Sequence, residues 1–273
     1  MLLQTVVDIP HSTFELKPTD TMLFVGSCFA DNIGRRFIDN RFRATVNPYG
    51  VMYNPASVMH TVRRAVADGT VADSGVDFAV FTLGTNHVYI LNETGEIVDN
   101  CQKRPQRLFT EKNLTIEECV ECLTEAIRLL RQLNKDTKII LTVSPIRYAK
   151  YGFHESQLAK SALLIAADTI AAQENVAYFP AYEIMNDELR DYRFYKPDML
   201  HPTEQAVDYI FERFKETFFS KEATCFIEEW QPIRRALGHR PLNPDSKEYL
   251  SFIEQARERE KGFLEKWLNV KQQ

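Results

Sequence analysis

Short apolar runs ending in glycine or serine alternate along the chain with stretches whose apolar residues return every three to four positions. "TMLFVGS" (21–27), "DFAVFTLG" (77–84), "KIILTVS" (138–144) and "VAYFP" (176–180) are apolar on both faces, the pattern of strands buried inside a parallel sheet. A shorter run, "RATV" (43–46), ends in the turn-rich "NPYG". Between these runs, Phe29, Ile33 and Phe37 share one helical face, as do Val58, Val62 and Ala65 in a segment that opens with Pro55 and closes on Gly69. Thr115 with Glu118 forms a capping box for a helix to about Asn134; residues 155–174 make another helix, and Thr203 caps one through about Phe219. "VYILNETGEIVD" (88–99) reads as a hairpin around Thr94 and Gly95 within an excursion over about 85–113. Strand and helix in repeated alternation predict a parallel sheet with helices on both faces and right-handed crossovers. The chain divides into a domain over 1–219 and a helical extension over 220–273.

Composition narrows the function classes. Of 273 residues, 44% are apolar and 26% charged, close to the average of soluble globular chains. The net charge is −5 and the basic residues are scattered, so nucleic acid is not an expected partner. No run approaches a membrane span, and "MLLQTVVDIPHS" lacks a leader's basic start, so the chain as given reads as cytoplasmic. Five cysteines, an odd number in a large domain, argue against a disulfide framework. Cys119 and Cys122 have metal-ligand spacing, but they stand alone on an amphipathic helix and read as small buried residues. No metal and no cofactor is expected.

In sheets of this kind the site lies past the C-terminal ends of the strands, which directs attention to Ser27 and Cys28, to 47–50, to 84–87 and to 144–147. Acyl transfer needs a nucleophile, a base, a group that orients the base, and donors for the developing oxyanion. Ser27 and Cys28 stand at a strand-to-helix turn, where free N–H groups and a positive partial charge collect. In "YKPDMLHPTEQAV", Asp198 lies three residues before His201, close enough to fix its tautomer. Read singly, each element has a plainer use: Ser27 and Cys28 as small packing residues, the Asp-x-x-His segment as a helix cap, and Gly84 to Asn86 as a turn.

Taken together, these residues resemble a family. Gly-Ser-Cys after the first strand, Gly84-x-Asn86 after the third and Asp198-x-x-His201-Pro202 near the end follow the block order of the SGNH (GDSL-like) hydrolases. "GSCFA" (26–30) is the name motif of the GSCFA group, whose recurring stretches "NPYGVMYNP" and "VDNCQKRP" are also similar, so the resemblance covers roughly 20–219. It implies a flavodoxin-like three-layer α/β/α sandwich of about five parallel strands and ester or acyl-group chemistry, without a metal, on carbohydrate or lipid-like substrates, so that the expected partner is a small-molecule or carbohydrate ester. It also implies His201 as base, Asp198 as orienter, and an oxyanion hole from Gly50, Gly84, Asn86 and the nucleophile's own N–H. A gapless register puts Cys28 on the family's nucleophile position and Ser27 on its aspartate, and His87 stands where the third block usually has aspartate.

Ser27 and Cys28 both remain open as nucleophile, the register favouring Cys28. His87, Tyr53, Arg147 and His154 are candidate substrate-binding residues, and Tyr49, Tyr148, Tyr151 and Phe153 suit sugar stacking and acyl chains alike. The expected function is an esterase or acyl hydrolase, with an acyltransferase or a non-catalytic binding domain of the same fold as alternatives.

Overall fold

A computed structural model describes residues 5–268. The first four residues of the stretch weighed as a leader and the last five of the C-terminal extension lie outside the described residues. The central sheet holds β1 (Thr21–Gly26), β2 (Arg43–Val46), β3 (Phe78–Leu83), β7 (Lys138–Val143) and β8 (Val176–Tyr178), all parallel, in the order β2-β1-β3-β7-β8. Val25 lies opposite Phe81, and Phe81 opposite Leu141. This is the flavodoxin-like strand order, with its switch point between β1 and β3.

Both faces of the sheet are buried, which is why its strands read as continuous apolar runs. Alternate residues serve two cores. Phe24, Phe78, Val80 and Ile140 face α1 (Cys28–Asp39) and α6 (Glu204–Phe218). Leu23, Val25, Phe81 and Leu141 face α2 (Pro55–Ala67), α3 (Ile116–Leu133) and α4 (Phe153–Ala171). The capping box at Thr115 and Glu118 forms as its sequence predicts. On the first face Phe37 gathers the rings of Phe24, Phe42, Phe211 and Phe214 at centroid distances of 5.0, 5.3, 5.5 and 5.7 Å. That aromatic cluster continues into the extension, where α7 (Lys221–Leu237) and α8 (Lys247–Leu268) pack Phe226 and Phe263 beneath Phe42. The Trp230 indole N–H donates to the Asp39 carbonyl at 2.8 Å, joining α7 to the end of α1. No described helix is long and apolar enough to cross a membrane.

The excursion after β3 is richer than a hairpin. β4 (His87–Leu91) pairs with β5 (Ile97–Val98) as predicted, and its other edge takes β6 (Phe109–Asn113), giving a second, antiparallel sheet in the order β5-β4-β6. "FTEKN" hides this strand because only Phe109 is buried; an edge strand with one solvated face carries little apolar signal. A single turn, α5 (Ala181–Glu183), runs into a π-helical segment over Ile184–Glu188, also without a periodic signature in the sequence.

Candidate active site

The turn after β1 separates the two candidate nucleophiles. Gly26 has φ +144°, and a Cβ there would fall 2.2 Å from the Thr82 carbonyl oxygen, so the chain can pass β3 only with glycine. Ser27 follows as the N-cap of α1. Its hydroxyl accepts from the Phe29 N–H at 3.2 Å and meets the Thr82 hydroxyl at 3.0 Å, while its N–H donates to the Thr82 carbonyl and hydroxyl. At 1% exposure Ser27 is sealed into the β3 contact. Cys28 points the other way, half-buried at the first position of α1, with Sγ 3.4 Å from the Tyr53 hydroxyl. Its backbone N–H has no hydrogen-bond partner among the described residues. Burial pushes the Cys119 thiol, sealed inside α3, up to about 12.

Asp198 and His201 form a preorganised pair. The carboxylate accepts the Leu200 and His201 backbone N–H groups at 2.9 and 3.0 Å through one oxygen and faces His201 Nδ1 at 2.7 Å through the other. Those backbone donors first, and the imidazole second, hold the Asp198 carboxyl down at about 2. An ionised carboxylate only accepts, so Nδ1 carries the proton and Nε2 of the neutral ring is left with a bare lone pair. Nε2 has no partner among the described residues.

Two contacts bring this pair to the edge of the sheet that carries Cys28. The Arg147 N–H, just past β7, donates to the Leu200 carbonyl at 3.0 Å, and its guanidinium donates to the Met199 carbonyl at 3.1 Å. The helices α1 and α6 also run in the same direction, because Arg36 bridges Glu204 and Asp208, Phe37 meets Phe211, and Phe42 meets Phe219. Their N-termini, with Cys28 on one and His201 just ahead of the other, therefore lie at the same end. No hydrogen bond joins His201 to Cys28 or Ser27.

Of the residues expected to form the oxyanion hole, Gly50 and Gly84 reach this edge with their backbone N–H groups already engaged. The Gly50 N–H closes a turn onto the Asn47 carbonyl, and the Gly84 N–H donates to the Tyr53 carbonyl at 2.8 Å. The Asn86 carboxamide donates to the Leu114 carbonyl at 2.7 Å, and its buried Oδ1 has no partner among the described residues. The Cys28 N–H and the second N–H of the Asn86 carboxamide are the expected donors with no acceptor among the described residues.

His87 is gripped from both nitrogens, by Glu111 Oε2 and by Asn113, each at 2.9 Å, and stacks 4.2 Å from the Tyr151 ring. With both nitrogens engaged it is a wall rather than a base. Hydrogen bonding from Tyr151 first, with Gln106 and His87 adding to it, holds the Glu111 carboxyl below its ordinary range. Tyr53 is exposed beside Cys28, and burial first and the thiol contact second keep its phenol protonated. Arg147 lies over the Phe153 ring at 4.2 Å and grips the His201 loop, and His154 is exposed on the first turn of α4.

Three organisers of this edge were given no role by sequence reasoning, although Asn47 lay within the 47–50 stretch it singled out. Thr82 fixes Ser27 and was marked only by being polar within an apolar strand. Asn47 has φ +39°, a conformation asparagine tolerates; its side chain accepts from the Gly26 N–H at 2.9 Å and donates to Asp31 at 2.7 Å. Glu111 sits on β6, the strand without a signal. Among the described residues no three His, Cys, Asp or Glu side chains converge as metal ligands would.

None of the curated proteins compared matches the chain. Several solved structures share its general shape. A provisionally assigned platelet activating factor from Streptococcus pneumonia is 16% identical, with a TM-score of 0.49 over 73% of this chain and 84% of that one. A provisionally assigned GDSL-like lipase from Parabacteroides merdae is 12% identical, with a TM-score of 0.48 over 76% and 98%. A carbohydrate esterase family 3 protein from Talaromyces cellulolyticus is 10% identical, with a TM-score of 0.41 over 77% and 99%. At such identities these likenesses do not bear on activity. The model of the GSCFA family matches residues 21–76 and 70–214, and the model of the GSCFA domain protein C-terminal domain matches 230–273. With well over half of its length matched, the chain belongs to the GSCFA family.

Proposed function

We propose that the protein is an acyl-ester hydrolase or acyltransferase that works through a thioester on Cys28. The Cys28 thiol attacks the ester carbonyl carbon while His201 Nε2 takes its proton, and Asp198 holds the imidazole in that tautomer. The carbonyl oxygen becomes an oxyanion facing the Cys28 N–H at the start of α1, where the helix dipole favours negative charge. Collapse breaks the bond to the alcohol, to which His201 returns the proton, and leaves the acyl group on sulfur. Attack by water completes hydrolysis; attack by an acceptor hydroxyl or amine completes transfer.

The observation that carries this reading is the contrast between neighbours: a half-exposed thiol with a free N–H, beside a serine whose hydroxyl is locked to Thr82. The Asp198–His201 pair, with Nε2 unengaged, supports it. A non-catalytic binding domain is the second reading, favoured by the engaged N–H groups of Gly50 and Gly84. Hydrolysis of p-nitrophenyl acetate and of a thioester separates the two. The enzyme turns over at least one, and His201→Ala, folded by circular dichroism, loses that turnover. Absence of turnover and of any acyl adduct on wild type favours the binding domain.

A further inference from the structure

A cavity of about 330 Å³ opens between the β4–β6 sheet and the first turns of α4, walled by Thr85, His87, Glu111, Tyr148, Tyr151 and Glu155 among others. None of the chemistry above uses it. It is joined to the thiol by a continuous wall of rings. Tyr53, in contact with Cys28, lies 6.1 Å from Tyr148, which lies 6.1 Å from Tyr151, which lies 4.2 Å from His87.

We propose that this cavity binds the alcohol part of the ester, and that this part is a neutral polyhydroxylated ring of about one sugar unit. The assignment of that part as the alcohol rests on the thioester reading above; the binding chemistry does not. Two carboxylates, Glu111 and Glu155, face the space, which disfavours an anion. Glu155 has no ion pair or hydrogen bond to any described residue, so its oxygens are open to hydroxyl donors. The Lys150 ammonium contacts the Tyr89 hydroxyl and the Tyr151 hydroxyl behind the same wall, offsetting part of the negative charge and disfavouring a cationic ligand. An alkyl chain would set hydrocarbon against the Glu155 carboxylate, and it would leave unused whatever hydrogen-bonding capacity Thr85, His87, Glu111 and Asn113 keep beyond the bonds they make to one another. A sugar ring offers C–H faces to Tyr148 and Tyr151 and hydroxyls to the acceptors around them. The volume is at the small end of ordinary ligand sites, about 300–1,000 Å³, and suits one ring rather than a chain of them.

The test is calorimetric titration of the full chain with methyl glucoside, N-acetylglucosamine and myo-inositol, alongside choline and hexanoate. At least one neutral polyol binds, Tyr151→Ala and Glu155→Gln each weaken it about tenfold or more, and Tyr148→Ala does the same should Tyr151→Ala fail to fold. Cys28→Ala keeps the binding, so loss of the thioester chemistry and loss of the sugar site are read separately. Absence of polyol binding, tighter binding of choline or hexanoate, or polyol binding indifferent to the variants would overturn the proposal.

Discussion

The Cys28 thiol and the Tyr53 hydroxyl meet at 3.4 Å, and through that contact three stretches far apart in sequence close on one point. Tyr53 also accepts the Gly84 and Thr85 N–H groups on its carbonyl, so a single residue joins the turn after β1 to the loop after β3. The phenol is held protonated and is therefore positioned to donate to sulfur.

Loss of that donor makes the thiolate less accessible. A hydrogen bond to a charged group contributes about 1.5–3 kcal/mol, and about 1.4 kcal/mol is a factor of ten. Tyr53→Phe should alkylate with iodoacetamide at Cys28 roughly tenfold more slowly at neutral pH. An unchanged rate would remove Tyr53 from any role in thiol activation.

Ser27 is a structural residue on this account. Removing its cap and its contact with Thr82 in Ser27→Ala should lower stability by about 1 kcal/mol, read from urea unfolding, while acylation persists. A variant of full stability and no acylation would reverse the assignment.

Asp198 orients rather than titrates. Its folded carboxyl sits at about 2, below the ordinary value of 3.8, so whatever stability it adds is present above about pH 4 and is lost as pH falls through about 2. The loss of activity on mild acidification should therefore not come from this carboxyl. Asp198→Asn should lower kcat by roughly a hundredfold or more across the whole profile. An unchanged kcat in the folded variant would remove Asp198 from the orienting role.

Lys160 gives a pH signature of the fold itself. Its ammonium is fully buried, donates to the Ser144 carbonyl at 2.7 Å, and is pulled by burial from 10.5 to about 7. Between those values the unfolded chain holds a proton that the folded chain releases, so stability rises with pH over that window and is lower at its acid end. From about pH 7 to about pH 9.5 the wild type should gain about 3 kcal/mol in urea unfolding, and Lys160→Met should lack that slope. Equal slopes in the two proteins would contradict it.

The parts that were readable in the sequence are those set by local or fully buried pattern. β1, β3 and β7 declare themselves because both faces are covered, and the Asp198–His201 pair because three residues of spacing fix the contact. The choice between Ser27 and Cys28 could not be read, because it depends on Thr82, a residue 55 positions away brought alongside by the parallel β1–β3 register. The grip on His87 depends on β6, whose polar face hides the strand, and on a register that places Glu111 and Asn113 around the ring. The engagement of Gly50 and Gly84 likewise follows from loop contacts that no motif encodes.

The most direct measurement is the intact mass of the protein after brief exposure to p-nitrophenyl acetate, for wild type, Ser27→Ala and Cys28→Ala, with the adduct located by peptide mapping under mildly acidic conditions. The account predicts one acetyl group on wild type and on Ser27→Ala, carried by Cys28 and released by hydroxylamine, and none at this turn in Cys28→Ala. An acetyl group on Ser27 in wild type, or acylation that survives in Cys28→Ala and disappears in a folded Ser27→Ala, would contradict it.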